Sequence, residues 1–318
     1  MPRSDTGDRI GSESTETLGP IRNFVAIVGA SFIHLLIRVF GRTVPADAVP
    51  WLAGPVGSDY IGDRPYEEVA AREHLELVRR ADTGGLLPDM RALDGPSCRV
   101  ERLHPEIRRF YECTSAYRMD VWSESYFPGN IGLWLLVTTI SRKVNQLNFP
   151  LGALATAKGL DSEIVLLKDP TTGAVRYAGW YRRLVSTGRA IYTGFYMTEK
   201  APHCDNRCVK VIFPMPDGNA TIFLRPTVDE RGHLTLSSKG ADFGDAGFYR
   251  IHRLENGDLR VWRVRTLDEE FRVYLDDDAV LRCDHTVRYL GMPVLHLHYR
   301  IERSRHGAAP TSRSVERA

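Results

Sequence analysis

The chain has 318 residues, 43% hydrophobic and 26% charged, with 42 basic against 40 acidic side chains and a net charge of +2. That is enough apolar material for a sizeable core, in one large or two modest domains. The near-balance of charge excludes the concentrated basic field that a nucleic-acid partner requires.

Residues 1–20 are polar, rich in Ser, Thr, Gly and acid, and read as a disordered tail. Residues 24–37, FVAIVGASFIHLLI, form an apolar run bracketed by Arg22 and Arg38. It is shorter than the roughly 20 residues a spanning helix needs, and the acidic leader before it does not suit a signal peptide. A buried or lid helix is expected, with a membrane-surface helix over 21–40 as the rival. The prolines and glycines of 41–64 predict an extended connector. Pro65 then opens a helix over 65–82 with Ala71, Leu75 and Val78 as its apolar stripe, stopped by Gly84 and Gly85. A second helix is expected from Pro105, and the apolar segment 131–140 reads as a third, ended by Pro150. Residues 21–102 thus form a helical N-terminal section and linker. Residues 103–302 form a β-barrel-like domain with capping helices, and 303–318 a second disordered tail.

From Val175 to Arg303 apolar and polar residues alternate along one short strand after another. This predicts an α+β fold built on a large antiparallel up-and-down sheet or barrel, calycin-like, of about 10–11 strands. Turn residues propose registers. A two-residue turn at Asp217-Gly218 would set Met215 opposite Ala220, Phe213 opposite Ile222 and Val211 opposite Leu224. A three-residue loop at Asp277–Ala279 sets Phe271, Val273 and Leu275 opposite His285, Cys283 and Leu281. A loop at Leu290–Met292 sets Val287, His285 and Cys283 opposite Leu295, Leu297 and Tyr299. A two-residue turn at Asn256-Gly257 would put Tyr249 and Ile251 beside Val264 and Trp262, and Arg250 opposite Arg263. Gly179 and Gly194, mid-strand among aromatics, suggest a bend or a close backbone approach.

The densest polar group is Cys283-Asp284-His285 with His296-Leu297-His298. Asp284 should face His298 on the polar face, where a carboxylate can orient an imidazole for proton transfer, although exposed pairs of this kind are mostly structural. His285 and Cys283 should point into the oily face. His203, Cys204 and Cys208 fall short of a zinc ligand set, and Asp242 and Asp245 lack calcium-loop spacing. Arg182, Arg183, Arg250 and Arg263 are expected on the outer face, because an unpaired buried charge is costly. Cys98, Cys113, Cys204, Cys208 and Cys283 are odd in number and irregular in spacing, which favours free thiols in a reducing cytoplasm. No Walker loop, dinucleotide fingerprint, nucleophile elbow or His-Glu-x-x-His motif is present, so no cofactor or metal is expected.

Leu103-His104-Pro105 before a helix, the turn Leu147-Asn148-Phe149-Pro150, and a following strand with Trp180 and Arg182 resemble a family of uncharacterised bacterial β-rich domains (the DUF4166 type). The resemblance covers about 103–302 and implies architecture alone, since that family carries no established activity. The expected function is binding of a hydrophobic or amphipathic small molecule in the barrel, lined by Tyr177, Tyr181, Phe195, Phe213, Ile222, Phe271 and His285. Two alternatives stand beside it. One is a cofactor-independent isomerase, cyclase or hydrolase using His285, Asp284 and His298. The other is a membrane-peripheral protein held by residues 21–40.

Overall fold

Alternation with tight turns leaves the chain one way to satisfy its backbone and bury its apolar side chains: strands paired edge to edge with one oily face. The computed structural model describes residues 36–57, 63–79, 83–126, 160–184 and 190–304. Among these, fourteen strands join in one antiparallel sheet. They are β1 (Arg42–Val44), β2 (Glu76–Arg79), β3 (Tyr117–Ser125), β4 (Leu160–Lys168), β5 (Val175–Leu184), β6 (Ala190–Glu199) and β7 (Cys208–Met215). Then come β8 (Gly218–Val228), β9 (Leu234–Ser237), β10 (Gly247–Arg253), β11 (Leu259–Val264), β12 (Leu267–Leu275), β13 (Leu281–Tyr289) and β14 (Met292–Arg303).

The main path runs β2-β4-β5-β6-β7-β8-β9-β12-β13-β14-β3. It departs from the simple meander expected, because β8 forks. Its first half pairs with β10 and its second half with β9. An arm of β10, β11 and β1 therefore branches from the sheet, its underside filled by Trp51, Phe223 and Tyr249. Strand direction sorts the connections. The β7–β8 and β13–β14 turns, the end of β3 and the start of β4 share one end, here the upper end.

Helix α1 (Arg64–Arg72) starts near Pro65 as expected but stops ten residues early. His74 takes a left-handed φ of 55°, and Glu76–Arg79 pairs with the edge of β4 instead. Strand pairing there outweighs helical periodicity. The buried face of α1 is Tyr66, Val69 and Ala70, while Ala71 is exposed. This face packs on the convex side of β4–β7 against Tyr177, Phe195 and Ile212. Gly179 makes room for it, since a Cβ there would lie 2.3 Å from the Tyr66 ring. The Tyr66 hydroxyl reaches the Gly194 carbonyl at 3.4 Å.

Helix α2 (Pro105–Glu112) closes the lower end. Glu106 grips the Arg303 guanidinium and accepts from the Tyr117 hydroxyl at 2.7 Å, both at lower strand ends. Asn206 Nδ2 donates to Leu93 O, and His104 N to Gly232 O, fastening the segment before it. The expected helical character of the front section is thus corrected. The described residues of 21–102 supply β1, β2, helix α1, a helical turn over 36–40 and several 3-10 turns. The segment 131–140, most of the run 24–37 and the tail calls, apart from Arg303 and Ser304, lie outside the described residues.

Candidate functional site

The main path curls until its two walls face each other, and between them lies a cavity of about 220 Å³. One wall presents Trp180, Arg182, Tyr192, Tyr196, Phe213 and Ile222, from β5 to β8. The other presents Glu269, Phe271, Val273, Cys283, His285 and Tyr299, from β12 to β14. Leu86, Phe110 and Tyr111 floor it at the α2 end.

The polar groups in this lining are few and specifically held. His285 Nε2 lies 2.8 Å from Glu269 Oε2, and its ring stacks on Phe271 at 3.8 Å. The imidazole is 5% exposed, and its Nδ1 is buried with no hydrogen-bond partner. Arg182 is 9% exposed. Its guanidinium carbon sits 5.0 Å from the Trp180 ring and 5.8 Å from the Tyr299 ring, and its Nε is buried without a partner. Tyr192 and Tyr196 share a short hydroxyl–hydroxyl bond. Burial raises the pKa of Tyr192, Tyr196 and Tyr299, so all three stay protonated. Burial likewise pushes the Cys283 thiol up, which removes it as a nucleophile at neutral pH.

The side chains singled out from sequence divide between faces. Phe213, Ile222, Phe271 and His285 line the cavity. Tyr177, Tyr181 and Phe195 do not. They lie on the convex face under α1, because β5 and β6 carry aromatics on both sides and Tyr66 covers that one. Asp284 and His298 are also outside. They pair at 2.5 Å on the far side of β13–β14, with His296 3.9 Å from the same carboxylate oxygen and Trp122 against His298. That separation takes Asp284 and His298 away from any chemistry in the cavity.

Arg182 is the largest correction: it was expected outside and it lines the cavity. Its neighbour Arg183 does face out, to Asp161. Arg250 opposes Trp262, not Arg263, and its guanidinium donates to the Asn219 and Ile251 carbonyls. Arg263 donates to Ala246 O. The residues that reasoning from sequence missed are Trp180, Arg182, Tyr192, Tyr196, Glu269 and Tyr299. Period-two spacing links Trp180 to Arg182, so the phase of β5 was the available signal.

Cys204 and Cys208 hydrogen-bond each other, and that bond with Arg225 holds the Cys204 pKa down. His203 instead meets Asp245 at 3.3 Å. Asp245 itself caps its loop, accepting from the Ala241 and Asp242 amides. Among the described residues no group of three or more His, Cys, Asp or Glu side chains is arranged to hold a metal ion.

Comparison with known proteins adds one relationship. The chain is 26% identical over 284 residues to the "Uncharacterized membrane protein YndJ" of Bacillus subtilis (strain 168). The match covers 85% of this chain and 49% of that protein, so the chain spans about half the length of this relative. No family model and no solved structure matches. Among the described residues no helix is long and apolar enough to cross a membrane.

Proposed function

We propose that this chain binds an amphipathic small molecule in the cavity between its two sheet walls. The observation that carries this is the lining: apolar and aromatic almost throughout, with a few fixed polar groups at Arg182, Glu269 and His285. Ligand pockets combine these two features, and the cavity of about 220 Å³ lies just below the usual range of about 300–1,000 Å³, which suits a small, slender ligand. Covering about 200 Å² of an alkyl chain there contributes on the order of 5 kcal/mol.

A calorimetric titration of the whole chain with medium-chain amphiphiles tests the reading. Saturable one-to-one binding that disappears in Leu224→Trp, which fills the deep part of the cavity, is expected. Absence of binding to the unaltered chain overturns it.

A second reading rests on the His285–Glu269 pair. A carboxylate that orients a buried imidazole equips it for proton transfer, so a cofactor-independent isomerase, cyclase or hydrolase acting on the same ligand is the alternative. For location, the free thiols favour a reducing compartment. The likeness to a protein named as a membrane protein supports membrane association.

A further inference from the structure

We propose that the bound molecule carries a single carboxylate, gripped by Arg182, with its apolar chain running down toward helix α2. This deepens the cavity-binding reading and rests on it. Arg182 is nine-tenths buried and hydrogen-bonds the Tyr299 side chain, yet among the described residues no carboxylate forms an ion pair with it. Glu269, the acid in the lining, is engaged by His285. A buried cation left in this state is costly, and so is the unpartnered Nε donor. Both costs fall if an anion arrives with the ligand.

The surroundings also select the shape of that anion. Trp180 and Tyr299 hold the guanidinium carbon at 5.0 and 5.8 Å. Aromatic contacts of this kind fix the plane of the group, and its rigid donor fork matches a carboxylate in two parallel bonds. A phosphate would bring a second negative charge into a lining that already contains Glu269, so one charge is favoured over two.

Orientation follows from the strands. Arg182, Tyr192 and Glu269 each lie two residues from the upper end of their strand. Leu86, Phe110 and Tyr111, at the other end, offer chiefly hydrocarbon and aromatic surface. The head therefore sits high and the tail low.

The test compares decanoate with decanol, by calorimetry, on the full chain and on Arg182→Met. The unaltered chain should bind decanoate about tenfold more tightly than decanol, or ~1.4 kcal/mol. Arg182→Met should erase that preference, weakening decanoate about tenfold more than it weakens decanol. If Arg182→Met does not fold, Arg182→Lys replaces it and should keep only part of the preference, since it retains the charge and loses the fork. Equal binding of acid and alcohol to the unaltered chain, or equal loss of both in the variant, overturns the carboxylate assignment and leaves cavity binding standing. Failure of both ligands to bind the unaltered chain overturns cavity binding itself, and the carboxylate with it.

Discussion

The guanidinium of Arg182 on β5 lies 5.8 Å from the ring of Tyr299 on β14, although six strands separate them along the sheet. A flat sheet would hold these side chains far apart, given about 4.8 Å per strand. Their contact shows that the sheet curls through nearly a full turn. It also joins the two walls of the cavity at a buried cation that no carboxylate among the described residues pairs.

The convex face gives the first prediction. Gly179→Ala puts a methyl group into the Tyr66 ring, which is fully buried. Overpacking of this kind costs about 1–3 kcal/mol. Thermal melting should show that loss, and adding Tyr66→Leu should recover part of it. A melting temperature unchanged in Gly179→Ala would contradict the packing of α1.

Lys210 gives the second. Its ammonium is fully buried and donates to the Trp51 and Ala53 carbonyls at 2.7 and 2.6 Å, fastening the front segment to β7. Desolvation pushes its pKa down to about 8, with Glu199 opposing. The unfolded chain keeps this proton to about pH 10.4. Between the two values the unfolded state binds more protons, so stability contributed by this residue rises with pH. Below pH 8 the full penalty of burying the charge applies. The unfolding free energy of the unaltered chain minus that of Lys210→Met should therefore become more positive from pH 8 to pH 10. A flat difference refutes the shift.

The outer pair gives the third. Asp284 and His298 are partly exposed and face away from the cavity. Asp284→Asn should cost no more than ~1 kcal/mol and leave amphiphile affinity unchanged. A tenfold loss of affinity would return this pair to the site.

The β13–β14 turn gives the fourth. Leu290 is 62% exposed with φ 52°, a backbone region that disfavours a bulky residue. Leu290→Asn, which tolerates that region, should stabilise the chain by ~0.5–1 kcal/mol. Destabilisation in a denaturant titration would show that the leucine makes contacts worth more than its strain.

Turn chemistry explains which registers were legible. The pairs Phe271–His285, Cys283–Tyr299 and Val287–Leu295 occur as expected, because apolar matches on one face leave little freedom. The turn between β13 and β14 is nevertheless Leu290-Gly291, both with positive φ, and a bulge at Val287/Arg288 absorbs the difference. At β7–β8 the turn is Pro216-Asp217, with Asp217 left-handed, so Met215 meets Gly218, Phe213 meets Ala220 and Val211 meets Ile222. That two-residue shift preserves the face.

At β10–β11 the shift is one residue, and the face flips. Gly257 alone is left-handed, and Leu254 N donates to Asp258 O, so the loop has three residues and Tyr249 opposes Arg263. An Asn-Gly pair permits either turn, and sequence does not choose between them.

The site was half legible for a related reason. On β12–β14 alternation is clean, and Phe271 and His285 could be assigned to the oily face. On β5 and β6 both faces are buried, one by α1 and one by the cavity. Aromatic residues then mark neither face, and Arg182 looks like a surface charge until the curl of the sheet is known.

Native mass spectrometry of the 318-residue chain, purified without detergent and then mixed with decanoate, addresses the hollow most directly. A one-to-one complex, carried from the source or formed with decanoate and absent in Leu224→Trp, is the predicted result. A spectrum showing only the bare protein mass, before and after decanoate, would contradict ligand binding by this sheet.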